Sequence, residues 1–440
     1  MNSRFSAAVP SATAGQIPSE PGRSSATDRI PATVVDLDVT GTLPDIAGFD
    51  PAGRRVERAW LLVRQFTQPI GALLLDVPPQ GLTGAELAAT IDQRIPPASR
   101  PEPGYLARRA DVLADAPHIT VVVCTRERPA GLARTLDSLL AQRYPRFRVL
   151  VVDNAPVSDA TARVVADVAG RPVSVDYVRE PRPGLSHARN RAIRATAGEI
   201  VAWIDDDEVA DPDWLAEIAR ALADHPHSDA VTGAIAPAEL VTDAQLWFEQ
   251  YGGHSKGRGF TPDVFSPATA HRQSPLYPLP PFGAGGNMVF RPGVLERVGG
   301  FDTALGAGTP AMGSEDTLAL MQVLVAGGTV AYQPSALVWH HHRRDLAGLR
   351  KQLVGYGTGL TAAYTSLLLR EPRLLGPLLR LVPTALRDIL GDGDRLAGLR
   401  DDFPRDLIGA NRRGLLTGPI AYLRSRLADR RLRRRLRDAA

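Results

Sequence analysis

Cysteine is almost missing from this chain of 440 residues: Cys124 stands alone. That excludes an intramolecular disulfide and a cysteine-built zinc site, and points to a reducing, cytoplasmic setting. Its place inside an apolar run assigns the thiol to the core. Lysine is nearly as scarce, at Lys256 and Lys351 only, so the cations are arginines, a bias that fits a GC-rich genome better than a function. The formal net charge of +3 is too small to imply nucleic acid as a partner. No basic n-region followed by an apolar h-region opens the chain, so a secretory signal is not expected. Leu353 to Leu369 is uncharged for 17 residues, but its Gly, Tyr, Thr and Ser leave it short of the roughly 20 mostly apolar residues of a membrane span. It reads as a packed helix. Two phosphate-binding signatures are absent as well: no G-x-G-x-x-G follows the first core strand, and no G-x-x-x-x-G-K-[ST] occurs anywhere.

What is present is an ordinary globular composition, 44% hydrophobic and 22% charged, in a length that suggests two or three domains. Residues 1–29, rich in Pro, Ser and Ala, are expected to be disordered. Residues 30–116 read as a small α+β module without evident chemistry. In it Thr33 to Val39 alternates like a strand, Ala59–Arg64 and Gly71–Asp76 pair through a Gln68-Pro69 turn, and Thr83 with Glu86 opens a helix as a capping box. Residues 117–345 form the main domain, and 346–440 a helical, basic extension.

In the main domain, continuous apolar runs (Ile119–Thr125, Arg148–Asn154, Glu199–Ile204) alternate with helical patterns such as Leu132, Leu136, Leu139 and Leu140. The fold class is therefore α/β, a mostly parallel sheet with helices on both faces. Ligands of such sheets collect at the carboxyl ends of the strands. The residues there are Thr125-Arg126-Glu127, Asp153-Asn154 and the acid run Asp205-Asp206-Asp207-Glu208. Acids packed so closely repel one another, and hard oxygen ligands suit Mg²⁺ or Mn²⁺ shared with a substrate's phosphates. Pro280 to Asn287 is glycine-rich and lets backbone approach a ligand. Leu305 to Pro310 reads as mobile, and Ser314 or Asp316 as the cap of the helix that follows. His340 and His342, at i and i+2 of an extended run, project together.

This order of elements resembles the family 2 glycosyltransferases, nucleotide-sugar enzymes of the GT-A fold. The matching stretches are Val122–Pro129, Val152-Asp153-Asn154, Gly184–Asn190, Ile204–Glu208, Gly286-Asn287-Met288, Gly299–Asp302, Gly313-Ser314-Glu315-Asp316 and His340–Arg343. The resemblance spans about half the chain. It implies a nucleoside pocket lined by Thr125, Arg126, Glu127 and Asp153, and further donor contacts from Arg189, Asn190, Asp206, Asn287 and Arg343. It also implies a DxD pair, Asp205 toward ribose or sugar and Asp207 on a divalent cation (Mn²⁺ or Mg²⁺), with His342 or His340 on metal or diphosphate. Asp316, beside Glu315, takes the place of the catalytic base. The Gln-x-x-Arg-Trp signature of processive members is absent, so a polymerising synthase is not expected.

The expected reaction moves a sugar from a nucleoside-diphosphate sugar (UDP-, GDP- or dTDP-linked) to a hydroxyl of a glycan, lipid-linked or small-molecule acceptor, with inversion at the anomeric carbon. Two rivals are a nucleotidyltransferase on a related sheet and a binding module without turnover. Residues 421–440 carry eight Arg against two Asp. Apolar segments beside such a run suit an anionic membrane surface, which extends the expected location to the inner face of the cell membrane.

Overall fold

The computed structural model describes residues 29–97, 100–101, 103–255, 258–267, 276–277, 282–390, 399 and 402–438. The disordered segment expected at 1–29 lies outside the described residues except for Arg29.

The first elements are β1 (Arg29–Ile30), β2 (Thr33–Asp38), β3 (Arg55–Val56), β4 (Arg58–Gln65), β5 (Gln68–Asp76), α1 (Gly84–Arg94) and α2 (Tyr105–Ala114). A three-stranded sheet, β2-β4-β5, packs α1 against one face through Leu61, Val63, Leu87 and Ile91. The capping box that opens α1 forms as the Thr83/Glu86 spacing predicts. The hairpin turn falls earlier than expected, on Phe66-Thr67, with Gln68 and Pro69 already in β5. Both turn residues have positive φ, 52° and 70°, as a two-residue hairpin loop requires. No Gly or Asn marks the turn. It is instead fixed from outside, Thr67 N–H donating to Asp38 Oδ2 (2.9 Å) and Arg64 donating to the Thr67 carbonyl (3.2 Å). Phe66→Asn, which tolerates this backbone, is expected to stabilise the chain by about 1 kcal/mol in chemical denaturation; an unchanged or lower midpoint would show that the turn is unstrained.

The main sheet is built from β6 (Ile119–Thr125), β7 (Phe147–Asn154), β8 (Val175–Glu180), β9 (Ile200–Asp205), β10 (Glu208–Ala210), β11 (Ala230–Pro237), β12 (Asp263–Phe265), β13 (Met288–Phe290) and β14 (Val330–His340), in the order β10-β14-β11-β13-β9-β6-β7-β8, with β12 on β14. Parallel pairs join β9, β6, β7 and β8, and β11 with β14. Of the antiparallel members, β12 and β13 belong to the irregular second half of the domain, and β10 follows directly on β9. Alternation along β6 splits the core in two: Val122 and Cys124 face one side, Val121 and Val123 the other. Fully burying each such Val contributes roughly 1.5–3 kcal/mol. Burial also pushes the Cys124 thiol up to about 12. The β2-β4-β5 sheet lies against the main one, Leu62 meeting Ala234, Ala236 and Leu337, and Arg64 pairing with Asp211 at 2.6 Å.

The covering helices are α3 (Pro129–Leu140), α4 (Ala160–Asp167), α5 (Leu185–Ala195), α6 (Trp214–Asp224), α7 (Asp243–Gln250), α8 (Val294–Arg297), α9 (Glu315–Val325), α10 (Leu346–Arg370), α11 (Leu375–Leu390) and α12 (Asp406–Asp438). The uncharged stretch of α10 is packed as expected. It meets α12 so closely that a Cβ on Gly357, Gly414 or Gly418 would come within 2.0–2.3 Å of the facing helix. Among the described residues no helix is long and apolar enough to cross a membrane.

Candidate active site

Register decides what meets what at the carboxyl edge. Cys124 of β6 pairs with Asp205 of β9, so the residues that follow, Thr125 and Asp206, come together: Thr125 Oγ1 donates to Asp206 Oδ2 at 2.7 Å. Arg128, just before α3, donates to Asp206 Oδ1 (2.6 Å) and Asp207 Oδ2 (2.9 Å). No motif or spacing assigns Arg128 this role. Asp206 is thus a buried brace below the acid pair. Burial raises its carboxyl to about 6 against the pull of Arg128 and Thr125. Burial acts on Asp207 in the same sense, but the neighbouring His340 and Arg128 outweigh it and hold this carboxyl below its usual range. Asp205 is raised, by burial first and then by Asp207 and Asp316, with Arg189 opposing. Glu208 is raised much further by burial and by Asp205, whose backbone N–H it accepts at 2.9 Å.

Behind the acids stands Arg189 of α5, fully buried. It donates to Glu315 Oε1 (2.8 Å), Asp205 Oδ1 (3.3 Å) and the Gly285 carbonyl (3.1 Å), with the Phe301 ring 5.3 Å from its guanidinium carbon. One side chain so ties β9, the glycine-rich loop and α9 together. Asp316 sits in the first turn of α9. Its Oδ2 accepts Gly285 N–H (2.6 Å) and its Oδ1 accepts Thr317 N–H (2.7 Å). Of the two expected caps Ser314 makes none, having φ 64° and no side-chain bond to the helix, and Asp316 satisfies one first-turn N–H, that of Thr317. Burial raises Glu315 to about 7, opposed by Arg189 and aided by Asp316. The glycines of the loop serve the protein's own side chains: a Cβ on Gly286 would lie 2.1 Å from Glu208, and one on Gly285 2.6 Å from Arg189.

The acid run continues into β10, whose Glu208 pairs with His340 across the strands. That brings His340 Nε2 to 3.6 Å from Asp207 Oδ1. His340 and His342 do share a side, with Nδ1 atoms 2.7 Å apart, but His342 turns its Nε2 to Glu249 (2.8 Å). Burial, with His342 and Arg343 adding, lowers His340 to about 3 against the pull of Asp207. A third imidazole, His254, completes a cluster whose ligand atoms lie within 4.8 Å of one another. It lies in the loop after α7, and no spacing in the sequence links it to β14.

A single cavity of about 1350 Å³ collects Thr125, Arg126, Arg189, Asp205, Asp206, Asp207, Glu315, Asp316, His340 and Arg343. Five expected contacts do not line it. Glu127 spends its carboxylate on Val157 N–H, Ser158 N–H and the Ser158 hydroxyl. Asn190 pins both backbone groups of Phe301. Asn287 is used up by Ala234, Ala336 and Trp214 inside the sheet. His342 is held by Glu249. Asp153 is buried beside the cavity, accepting the Tyr177 hydroxyl at 2.7 Å; its Oδ1 has no hydrogen-bond partner among the described residues. The loop 305–310 that reads as mobile is bonded on both sides, by Ser186 to the Leu305 carbonyl and by Leu185 N–H to the Ala307 carbonyl.

The model of glycosyl transferase family 2 matches residues 120–299. Succinoglycan biosynthesis protein ExoM of Rhizobium meliloti is 32% identical over 244 residues, covering 53% of this chain and 71% of that one. A glucosyl-dolichyl phosphate glucuronosyltransferase of Haloferax volcanii is 29% identical, covering 43% of this chain and 57% of that one. Among solved structures, a mannosyltransferase of Pyrobaculum calidifontis in complex with GDP-Man and Mn²⁺ aligns with 71% of this chain and 93% of its own, with TM-score 0.46 and 21% identity. The matched residues carry the tips of β6, β7 and β9, and the mostly parallel α/β sheet is the one the sequence predicts. The chain belongs to glycosyl transferase family 2 and is a glycosyltransferase.

Proposed function

We propose that this enzyme transfers one sugar at a time from a nucleoside-diphosphate sugar to an acceptor hydroxyl, inverts the anomeric centre and depends on a divalent cation. The observation that carries the reading is the convergence of Asp205, Asp207 and Asp316, from β9 and α9, on one cavity.

The donors have the chemistry a cation needs, and His340 links the acids to the cluster of His254, His340 and His342, whose ligand atoms lie within 4.8 Å of one another. Asp207 is kept ionised by its neighbours, Asp205 stands beside it, and His340 presents an imidazole with its proton affinity depressed by burial. These three residues would hold Mn²⁺ or Mg²⁺, whose chemistry there is to offset charge developing on the departing diphosphate. Arg128 and Arg343 add fixed positive charge at the same rim. Thr125 and Arg126, which line the cavity, supply the nucleoside contacts. Asp316 takes the proton of the acceptor hydroxyl. Its two backbone hydrogen bonds fix the carboxylate's direction and leave lone pairs for that proton. The acceptor oxygen then bonds to the anomeric carbon as the bond to the diphosphate breaks on the opposite face. Arg189 and Glu315 touch neither reactant; they hold Asp205 and α9 at their distance. The basic C-terminal region meets the membrane surface.

A panel of nucleoside diphosphates with and without Mn²⁺ tests the reading. One diphosphate with Mn²⁺ is expected to raise the melting temperature, by the equivalent of about 2.7 kcal/mol at a hundredfold excess over Kd, and EDTA to abolish the rise. Equal stabilisation in EDTA would remove the cation from the proposal.

A further inference from the structure

The cavity does not end at the acids. It continues along α10 and α11, where Leu360, Tyr364, Leu368, Leu378, Leu379 and Val382 form its wall. A sugar and a diphosphate are polar from end to end and have no use for such a wall, and the nucleobase is accounted for at Thr125 and Arg126, on the other side of the acids. On α11 one apolar face, Leu378 and Leu381, packs on the main core. A second face, Leu375, Leu379, Val382 and Leu386, recurs at i, i+4, i+7 and i+11, a single stripe, and stays 43–60% exposed. The same spacing returns on α12 in Leu416, Ile420, Leu423 and Leu427, each at least half exposed. Scattered surface leucines need no explanation, but two contiguous stripes do.

Charge says what covers them. Arg413, Arg424, Arg426 and Arg430 flank the α12 stripe and are exposed; Arg380 and Arg387 flank the one on α11. Apolar stripes edged by arginine match the boundary of an anionic lipid layer. Inside the cavity, Arg343 and Lys351 line the passage between the acids and the leucine wall. Neither pairs with a described carboxylate, so two cations stand where an anionic group joined to a hydrocarbon chain would pass.

We infer that the acceptor is lipid-linked. Its hydrocarbon chain lies along the α10–α11 wall, its phosphate meets Arg343 and Lys351, and its hydroxyl reaches Asp316, while the stripes of α11 and α12 rest on an anionic membrane. This rests on the transfer reading above and names its acceptor class.

The test uses the full chain and farnesyl phosphate as the probe, with methyl phosphate as the head group alone, by calorimetry. Farnesyl phosphate is expected to bind more than ~10-fold tighter, about 1.4 kcal/mol. The double variant Leu379→Glu/Val382→Glu is expected to erase that difference. Both side chains are about half exposed, so the parent's melting temperature should be largely retained; Leu379→Ser/Val382→Ser serves if the charged pair lowers it. The parent should also sediment with phosphatidylglycerol vesicles and not with phosphatidylcholine ones. Equal binding of the two phosphates, or farnesyl phosphate binding untouched by both variants, overturns the inference. Sedimentation without farnesyl phosphate binding leaves a membrane surface only and overturns it too. Stabilisation by nucleoside diphosphate with Mn²⁺ is read on the same preparation, so that loss of the donor reading and loss of the lipid acceptor are seen separately.

Discussion

Asp316→Asn is expected to bind nucleoside diphosphate and Mn²⁺ as the parent does and to lose transfer by ~10²–10⁴-fold, the usual worth of a positioned base. The amide keeps an oxygen for Thr317 N–H, so α9 should hold its place, but it cannot take up the acceptor's proton. The readout is a split: kcat falls while the thermal shift with nucleotide is unchanged. A variant that turns over at the parental rate would strike Asp316 from the mechanism. One that loses nucleotide binding as well would make it a structural group of the glycine-rich loop, through its bond to Gly285 N–H.

The largest expected effect on stability belongs to Arg189→Met. Methionine fills a similar volume between Trp203 and Phe301, yet it leaves the buried Glu315 and the half-buried Asp205 without their shared cation. Removing one member of a buried ion pair typically costs about 3–5 kcal/mol. The pH dependence has a definite sign. Glu315 already titrates near 7, above its unfolded value, so its favourable contribution is complete at low pH and fades as pH rises through 7. Without Arg189 it rises further, and the fading continues to higher pH. The penalty of the substitution should therefore be smallest near pH 5, where Glu315 is protonated in both proteins, and grow toward pH 8. A urea midpoint equal to the parent's at pH 8 would show that the guanidinium is not what offsets these acids.

The half of the site built on strands was legible because its signals are local. Continuous apolar runs made β6, β7 and β9, and the acids follow β9 directly. What the chain did not disclose is where polar side chains turn once the strands are packed. Glu127, Asn190 and Asn287 belong to the matching motifs, but the structure spends Asn190 and Asn287 on backbone groups that burial would otherwise leave unpaired, and Glu127 on the exposed turn at Val157 and Ser158. Arg128 lies within a motif too, yet its bond to two acids follows from the β6–β9 register alone. His254 and the short β10 are further cases of the same kind. His254 joins the histidines of β14 through a loop 86 residues upstream of His340 (340 − 254), and three residues of β10 leave too little pattern to read. The Phe66-Thr67 turn escaped for a different reason, since other parts of the fold hold its unfavourable backbone.

The close-set pair α10 and α12 also reaches back toward the cavity. Ser425 of α12 accepts Ala311 N–H at 3.1 Å, and Asp429 accepts from Thr303 (3.0 Å) and meets His187 at 3.0 Å. A chain cut after Arg343 would keep every acid, arginine and histidine discussed for the transfer chemistry, yet the segment from 303 to 311 would lose its far anchor. Trimming this enzyme after Arg343 would therefore resemble an active-site lesion, although no reacting group had been removed.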